Sequence, residues 1–517
     1  MSFTSRIRTL ASETAVYGIS TIVGRVINFL LVPLYVTFFD TVDYGVVSLV
    51  YAMFTLANHM YQHGMESAYL KFASGQEGRS HIDEVLSTAT WSILLVSGAL
   101  SAVIILSRGF ISDLIGIDPR WSYLFFYAIG IQTLDSLTLV PFAELRLQNN
   151  AGRFVVLKMI NISLNVGLNL FLIIGLKQGI EAVFVSNLAA SSISFLMVLP
   201  IYAKHLKFRL QPHLWRQLVL FGLPFIPSGL SYALVDRVNV IFVGRMDAEH
   251  VRALYESTFD LSALVANSAT TDAQYGQFMA GIFSAVWKLG VFMMLIAQMF
   301  RFAWQPFFLQ HADDDDALPL FARIFSLFTA FSLFVILAIT FYIDDLVALP
   351  LVGGRPLIPT QFWPALYIVP IALLAYLFQG WYYNFTAGPY IEKKTRYFVI
   401  CTLSGGVFTL IANALLVPRF GMIAAAWATT AAYAVMAIML YLFVRRFFPV
   451  PYDWRRVLAM VAWATALYIL WLAVPMLHHW WTETGLLIVY LAGLIGLRIV
   501  TVQSLRQLIP VASSRRK

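Results

Sequence analysis

The chain is poor in charge. Asp, Glu, Lys and Arg together make up only 12% of its 517 residues, about half the share of a soluble globular protein. That deficit excludes a water-soluble fold of this length, and with it soluble enzymes and nucleic-acid-binding domains. Cysteine is nearly missing as well. The single Cys401 rules out an intramolecular disulfide framework, and no CxxC or HExxH spacing offers a metal site. Disorder is excluded by the opposite property, since 60% of the residues are hydrophobic. What is abundant is apolar and aromatic sequence. The mean hydropathy is +0.75, and 41 Phe, 24 Tyr and 13 Trp suit the two interfaces of a bilayer. The composition reads as an all-α polytopic membrane protein. Its apolar runs are continuous rather than alternating, which argues against a β-barrel.

A helix needs about 20 apolar residues to cross the hydrocarbon core. Stretches of that kind fall at 15–38, 43–70, 86–107, 121–145, 154–175, 180–203, 216–244, 278–300, 318–343, 362–386, 397–417, 421–444, 457–476 and 483–500. About fourteen transmembrane helices are therefore expected. Met1–Leu10 is too polar for a secretory signal, and the apolar run that follows reads as a retained first span. Basic residues set the orientation. Of the 35 Lys and Arg residues, 25 fall on the side of the N-terminus, seven on the opposite side and three within spans. Arg146, Arg153 and Lys158 are assigned to loops on the first side. The positive-inside rule makes that side cytoplasmic and both termini cytoplasmic. The net charge of +8 is then a topology signal, and no nucleic-acid partner is expected.

The two halves resemble each other weakly, as transporter halves do. Gly18 of AVYGIS aligns with Gly222 of VLFGLP, and Arg153-Phe-Val-Val aligns with Arg396-Tyr-Phe-Val. The two offsets differ, which implies an insertion in the second half, and the polar stretch Asp247–Gln277 is its place. The expected division is an N-terminal six-helix bundle over 1–203 and a C-terminal six-helix bundle over 204–446 with an inserted external loop at 247–277. Two further transmembrane helices and a basic cytoplasmic tail occupy 447–517.

The three basic residues inside spans are Arg25, Arg237 and Lys288. A charge within the membrane normally faces a bundle interior or a watery cavity. Arg25 and Lys288 lie deep in their spans and are candidates to contact an anion. Arg237 stands beside Asp236, so it is either a substrate contact or half of a structural ion pair. The second span carries His59, His63 and Glu66 at i, i+4 and i+7, which in one continuous helix puts them on one face. That stripe would bond sugar hydroxyls, shuttle protons or form a polar seam between helices. Asp135, Asn161, Asn165 and Asn169 are further candidates for a cavity or seam.

Several motifs are similar to those of bacterial polysaccharide flippases. They are Gly64-Met-Glu-Ser-Ala-Tyr-Leu-Lys-Phe72, Asp236-Arg237, Ala303-Trp-Gln-Pro-Phe-Phe308, Glu392-Lys-Lys-Thr-Arg-Tyr397 and Asn413-Ala-Leu-Leu-Val-Pro418 followed by Gly421 and Ala424–Thr429. In order and spacing they resemble the polysaccharide-transporter branch of the multidrug/oligosaccharidyl-lipid/polysaccharide exporter superfamily, from about residue 10 to 450. The resemblance implies a V-shaped, pseudo-symmetric pair of bundles around a cationic cavity. It also implies a monomer that flips undecaprenyl-pyrophosphate-linked oligosaccharide to the periplasmic leaflet of the bacterial inner membrane by alternating access. Partners would be the lipid-linked glycan, membrane lipid and enzymes of polymer assembly such as a polymerase or glycosyltransferase. No cofactor is implied beyond a coupling Na+ or H+. On this resemblance Arg25 and Lys288 take the place of cavity cations, and Asp236, Asn413 and Thr429 take the place of a cation site.

Three rival readings remain: a cation-coupled multidrug exporter of the same superfamily, a non-transporting membrane scaffold in polymer assembly, and an enzyme. The first calls for acidic cavity residues, whereas the deep charges here are mostly basic. An enzyme calls for a catalytic constellation in a sizeable extramembrane segment, and no loop shows one. The topology has a direct check: reporter fusions at Lys207 and Ser268 should report opposite sides of the membrane, and the same side for both would overturn the assignment.

Overall fold

The computed structural model describes residues 24–497, apart from 28, 75–78, 149, 263, 265–270, 313 and 351–353. Gly18 and both chain termini lie outside the described residues. The described part is helical, with a single isolated β-bridge at Pro350–Pro356. The principal helices are α1 (Gly24–Phe38), α2 (Thr41–Gln62), α3 (Met65–Ala73), α4 (Arg79–Leu106), α5 (Arg108–Ile115), α6 (Leu124–Leu147), α7 (Ala151–Leu170), α8 (Glu181–His205), α9 (Pro212–Gly222) and α10 (Phe225–Gly244). There follow α11 (Ala248–Tyr255), α12 (Asp272–Trp287), α13 (Val291–Gln310), α14 (Ala317–Phe341), α15 (Val369–Phe385), α16 (Arg396–Phe420), α17 (Met422–Val444), α18 (Trp454–Ala473) and α19 (Trp480–Gly496).

Among the described residues, eleven helical stretches are long and apolar enough to cross a membrane. A helix satisfies its backbone groups internally, which is what hydrocarbon demands. The expected count of fourteen requires adding α1 and α19, which are shorter, and α2, which carries Asp43, Asn58, His59 and Gln62 over its 22 residues. Several spans expected to be continuous are broken. The second breaks after Gln62, where His63 (φ 31°) and Gly64 (φ 72°) adopt left-handed backbone and restart the helix as α3. Gly64 is suited to that conformation, and its Cα faces the Gly222 backbone so closely that a Cβ would lie 2.4 Å from the Gly222 carbonyl oxygen. The seventh span divides at Leu223–Pro224 into α9 and α10. The eighth passes through a 3₁₀ turn, Lys288–Gly290, between α12 and α13. The expected loop at 247–277 is shorter than anticipated: it contains α11, and α12 already begins at Asp272 behind a Thr271–Gln274 capping box.

By packing, the chain forms two compact units. Unit 1 comprises residues 1–289, 358–368 and 398–436, and unit 2 comprises 290–357, 369–397 and 437–517. Within unit 1, α10 and α12 pack on α2. The α2–α12 contact is the tightest in that unit. A Cβ on Gly45 would lie 1.8 Å from the Gln277 carbonyl oxygen, and one on Gly281 would lie 2.1 Å from that of Thr41. Small residues that let backbones meet are the usual basis of helix association in lipid. Around this contact Tyr44, Val46, Leu49, Ile282, Phe283 and Val286 are completely buried.

Unit 2 is built on aromatic packing. Phe325 of α14 stacks or edges against Trp381, Phe385, Tyr452 and Trp454, with ring centroids 4.9–5.6 Å apart. Such pairs each add about 0.5–1.5 kcal/mol beyond their buried area. Trp454 begins α18, so the two C-terminal helices share the core of unit 2; Tyr490 of α19 donates to the Ala330 carbonyl of α14 (2.9 Å).

The α2–α12 contact predicts a sharp contrast between two glycine variants. Gly45→Val should destabilise the purified protein by about 3 kcal/mol or more and reduce its accumulation. Gly98→Ala, whose Cβ would meet nothing within 4 Å, should match wild type. Thermal unfolding followed by size-exclusion fluorescence measures both, and equal stability of the two variants would contradict this packing.

Candidate functional site

A polar cavity of about 380 Å³ lies within unit 1. Its walls come from α2 and α3 (Asn58, Gln62, Glu66), α6 (Asp135, Thr138, Phe142, Arg146), α7 (Phe154, Lys158, Asn161) and α8 (Asn187, Ser191, Ser194). Here α8 packs against both α6 and α7, which touch each other less. Each contributes one polar face at helical spacing: Asp135, Thr138, Phe142 and Arg146 on α6, Phe154, Lys158 and Asn161 on α7, and Asn187, Ser191 and Ser194 on α8.

The charges in the wall balance. Glu66 and Arg146 form an ion pair. Asp135 accepts from the Ser191 hydroxyl and lies in the field of Lys158; Lys158 in turn feels Asp135, Glu66 and Arg146. The Lys158 ammonium also sits 4.6 Å from the centre of the Phe142 ring, a cation–π contact. Neutral donors and acceptors fill the rest. Gln62 donates to Asn58 (2.9 Å), Asn161 donates to Ser194 (2.8 Å) and Asn187 donates to the Tyr51 hydroxyl (2.9 Å). The arrangement is a hydrogen-bonding chamber with two acids and two bases, suited to a polar, hydroxyl-rich group rather than to a bare ion.

Of the residues expected on one face, only Glu66 reaches this cavity. The left-handed break at His63–Gly64 ends the periodicity that would have aligned His59, His63 and Glu66. His63 is buried, bonded through its ring to Ser92 Oγ (2.9 Å) and the Tyr61 carbonyl (3.0 Å); Trp215 of α9 donates to the same Ser92 oxygen (3.0 Å). His59 faces α10, where a Cβ on Gly229 would lie 2.5 Å from its Nδ1. Lys158 and Arg146 are a correction of another kind. The sequence reading places both in loops, yet Lys158 is the eighth residue of α7, about 10 Å along the helix, and Arg146 lies in the last turn of α6. Of the other polar candidates, Asn165 and Asn169 bond to each other (3.2 Å), and Asn169 accepts from the Tyr35 hydroxyl (3.0 Å).

The remaining candidates sit elsewhere in unit 1. Arg25 is exposed, near the start of α1. Lys288 lies in the 3₁₀ turn after α12 and donates to the Tyr44 hydroxyl (2.9 Å). That partner is a neutral phenol, not a carboxylate. Arg237 pairs with Asp236 (2.9 Å). Thr429 accepts from Asn239 (3.0 Å), and Asn413 donates to the Thr409 carbonyl (2.7 Å). Asn413 Oδ1 is buried without a hydrogen bond among the described residues, an oxygen of the kind a cation would take. Asp236, however, is already neutralised by Arg237, so these residues as arranged do not fit a sodium ion that needs carboxylate charge.

Comparison with known proteins places this architecture. The lipid II flippase MurJ in an inward closed conformation superposes with a TM-score of 0.64 at 16% identity, covering 93% of this chain and 99% of that one. An inward-facing multidrug resistance MATE family transporter of the MOP superfamily gives 0.62 at 12% identity, covering 82% and 95%. The eukaryotic MATE transporter AtDTX14 gives 0.53 at 14% identity, covering 88% and 97%. No curated protein sequence matches the chain. The chain thus shares the fold of these lipid flippase and MATE transporter structures. Residues 37–288 match the family described as polysaccharide biosynthesis protein, and this match together with the fold bears out the resemblance to a polysaccharide flippase of that superfamily.

The paired charges of the cavity yield a double-mutant prediction. Glu66→Gln and Arg146→Gln should each destabilise the protein, while the double variant should be less unstable than the sum of the two by about 1 kcal/mol. Strict additivity in thermal unfolding would show that the pair is not coupled.

Proposed function

We propose that the chain flips an undecaprenyl-pyrophosphate-linked oligosaccharide from the cytoplasmic to the periplasmic leaflet of the bacterial inner membrane by alternating access. The product would serve polysaccharide biosynthesis. The observation that carries this reading is the charge-balanced, amide- and hydroxyl-lined cavity inside a membrane helix bundle. Sugar hydroxyls both donate and accept hydrogen bonds, and a chamber of Asn, Gln, Ser and Thr side chains with paired charges offers both roles. A saccharide leaving water needs each lost hydrogen bond replaced, because an unpaired polar group in a low-dielectric site is costly.

The pyrophosphate needs positive charge. Lys288 donates to the Tyr44 phenol, and Arg25 is exposed near the start of α1; both are assigned to the pyrophosphate in this proposal. An arginine fork and a lysine point charge are complementary ways of holding phosphate oxygens. Coupling to a sodium or proton gradient belongs to the proposal, but the Asp236–Arg237 pair gives no basis for deriving an ion-binding step. The proposal further places both termini in the cytoplasm, takes the monomer as the working unit and hands product to enzymes of polymer assembly. The MATE-like fold equally accommodates a multidrug exporter. A cavity with as many bases as acids, however, holds no net negative charge for a cationic drug.

Complementation of a flippase-deficient strain tests the assignment. Asp135→Asn, Lys158→Met and Lys288→Ala should each reduce surface polysaccharide at wild-type protein levels, by about tenfold if each removes one charge-assisted bond to substrate. Lipid-linked glycan should accumulate in the inner leaflet. Normal polysaccharide from all three variants, or restored resistance to cationic drugs as the only phenotype of the wild type, would overturn the flippase reading.

A further inference from the structure

A second cavity in unit 1, of about 470 Å³, has the opposite chemistry. It lies among α2, α4, α5, α10 and Leu410 of α16, and apart from Tyr61 and Arg245 its lining is wholly apolar. Tyr61 bonds its hydroxyl to Ser101 (3.0 Å), which leaves Arg245 as the one charged group in the wall. The cavity is open at its side, where Met60, Val103 and Leu114 are 41%, 58% and 47% exposed. An opening framed by these residues faces hydrocarbon when the helices are in a bilayer.

Helix α5 sets the depth. It is a short helix that turns Ile111, Leu114 and Ile115 toward the cavity, the i, i+3, i+4 face of an interfacial helix. At its end Gly116 (φ +75°) lies so close to the end of α10 that a Cβ would meet the Gly244 carbonyl oxygen at 2.2 Å. The next residue is Arg245, which caps α10. Its side chain is exposed and forms no ion pair among the described residues. An apolar slot open to the membrane therefore ends at a single cation beside an interfacial helix.

We propose that this cleft is a binding site for an anionic membrane phospholipid, with one acyl chain along the apolar wall and the phosphate on Arg245. The charge pattern favours a bulk phospholipid over the carrier of the transported glycan. One guanidinium matches the single negative charge of a phosphodiester, whereas a pyrophosphate brings more charge than this wall can neutralise. The volume falls in the range of small-ligand sites, about 300–1,000 Å³. The site shares only α2 with the polar cavity, so the proposal stands independently of the transported substrate.

Native mass spectrometry of the full-length purified protein tests it, with phosphatidylglycerol and phosphatidylcholine of identical acyl chains as probes. Wild type should retain phosphatidylglycerol roughly tenfold better than phosphatidylcholine. Arg245→Gln, a substitution at an exposed position, should abolish that preference. Ala57→Phe or Leu100→Trp, which fill the slot from α2 and α4, should lower retention of both lipids. Equal retention of the two lipids by wild type would overturn the proposal, and so would a preference that survives Arg245→Gln. Displacement of phosphatidylglycerol by a lower concentration of polyprenyl phosphate would assign the cleft to the carrier lipid and overturn it equally.

Discussion

The backbones of α2 and α12 meet at Gly45 and Gly281 with no side chain between them, and the organisation of unit 1 depends on that approach. In hydrocarbon there is little hydrophobic drive to bring helices together, so close van der Waals contact has to hold them. Helix α10 packs against both partners. The 3₁₀ segment Thr360–Ile368 joins the same contact, with Gln361 donating to Thr41 (3.0 Å). Tyr44 precedes Gly45 in the chain and follows the same geometry; with α12 pressed against α2, its hydroxyl reaches Lys288 one helix length away from Asp272. A half-buried lysine thus gains a partner from the same contact that fixes the helices.

The polar cavity shows how a membrane bundle can hold four charges without a net charge. Burying an ion is expensive, and the penalty falls when its opposite lies within reach. Glu66 reaches Arg146 because the left-handed residues His63 and Gly64 end α2 and redirect the chain into α3. The hydroxyl and amide groups between the charges are held by bonds to one another, which fixes their directions before any ligand enters. A chamber of this kind offers both hydrogen-bond donors and acceptors, and its balanced charge disfavours both bare anions and bare cations. Arg25 and Lys288 stand outside its lining.

Unit 2 relies on a different physical basis. Its aromatic cluster gathers rings from α14, α15, α17 and the start of α18 around Phe325, and the two C-terminal helices pack onto α14. Rings of Trp and Tyr combine large apolar area with a polar edge, and here those edges find partners: Trp454 donates to the Tyr441 hydroxyl (2.9 Å), and Tyr452 donates to Asn384 (3.1 Å). Where unit 1 brings backbones together through glycine, unit 2 fills the space between helices with interlocking rings.

The class of this protein and most of its spans were legible from sequence because crossing a bilayer demands only one thing of a segment, a continuous apolar run of sufficient length. Composition and the basic bias of the loops follow from the same solvent and need no knowledge of packing. The two C-terminal helices and the polar character of α6 and α7 were accessible for that reason. The breaks were not. His59, His63 and Glu66 have perfect helical spacing, and only the contact between Gly64 and the Gly222 backbone bends the chain between them. Lys158 and Arg146 sit near the ends of the apolar runs 154–175 and 121–145, where basic side chains usually reach toward water, and it takes helix packing to bring Lys158 toward Asp135 and Arg146 onto Glu66. Periodicity describes one helix at a time; which faces share a wall depends on how helices rotate and cross, and that is decided by close contacts between residues far apart in the chain.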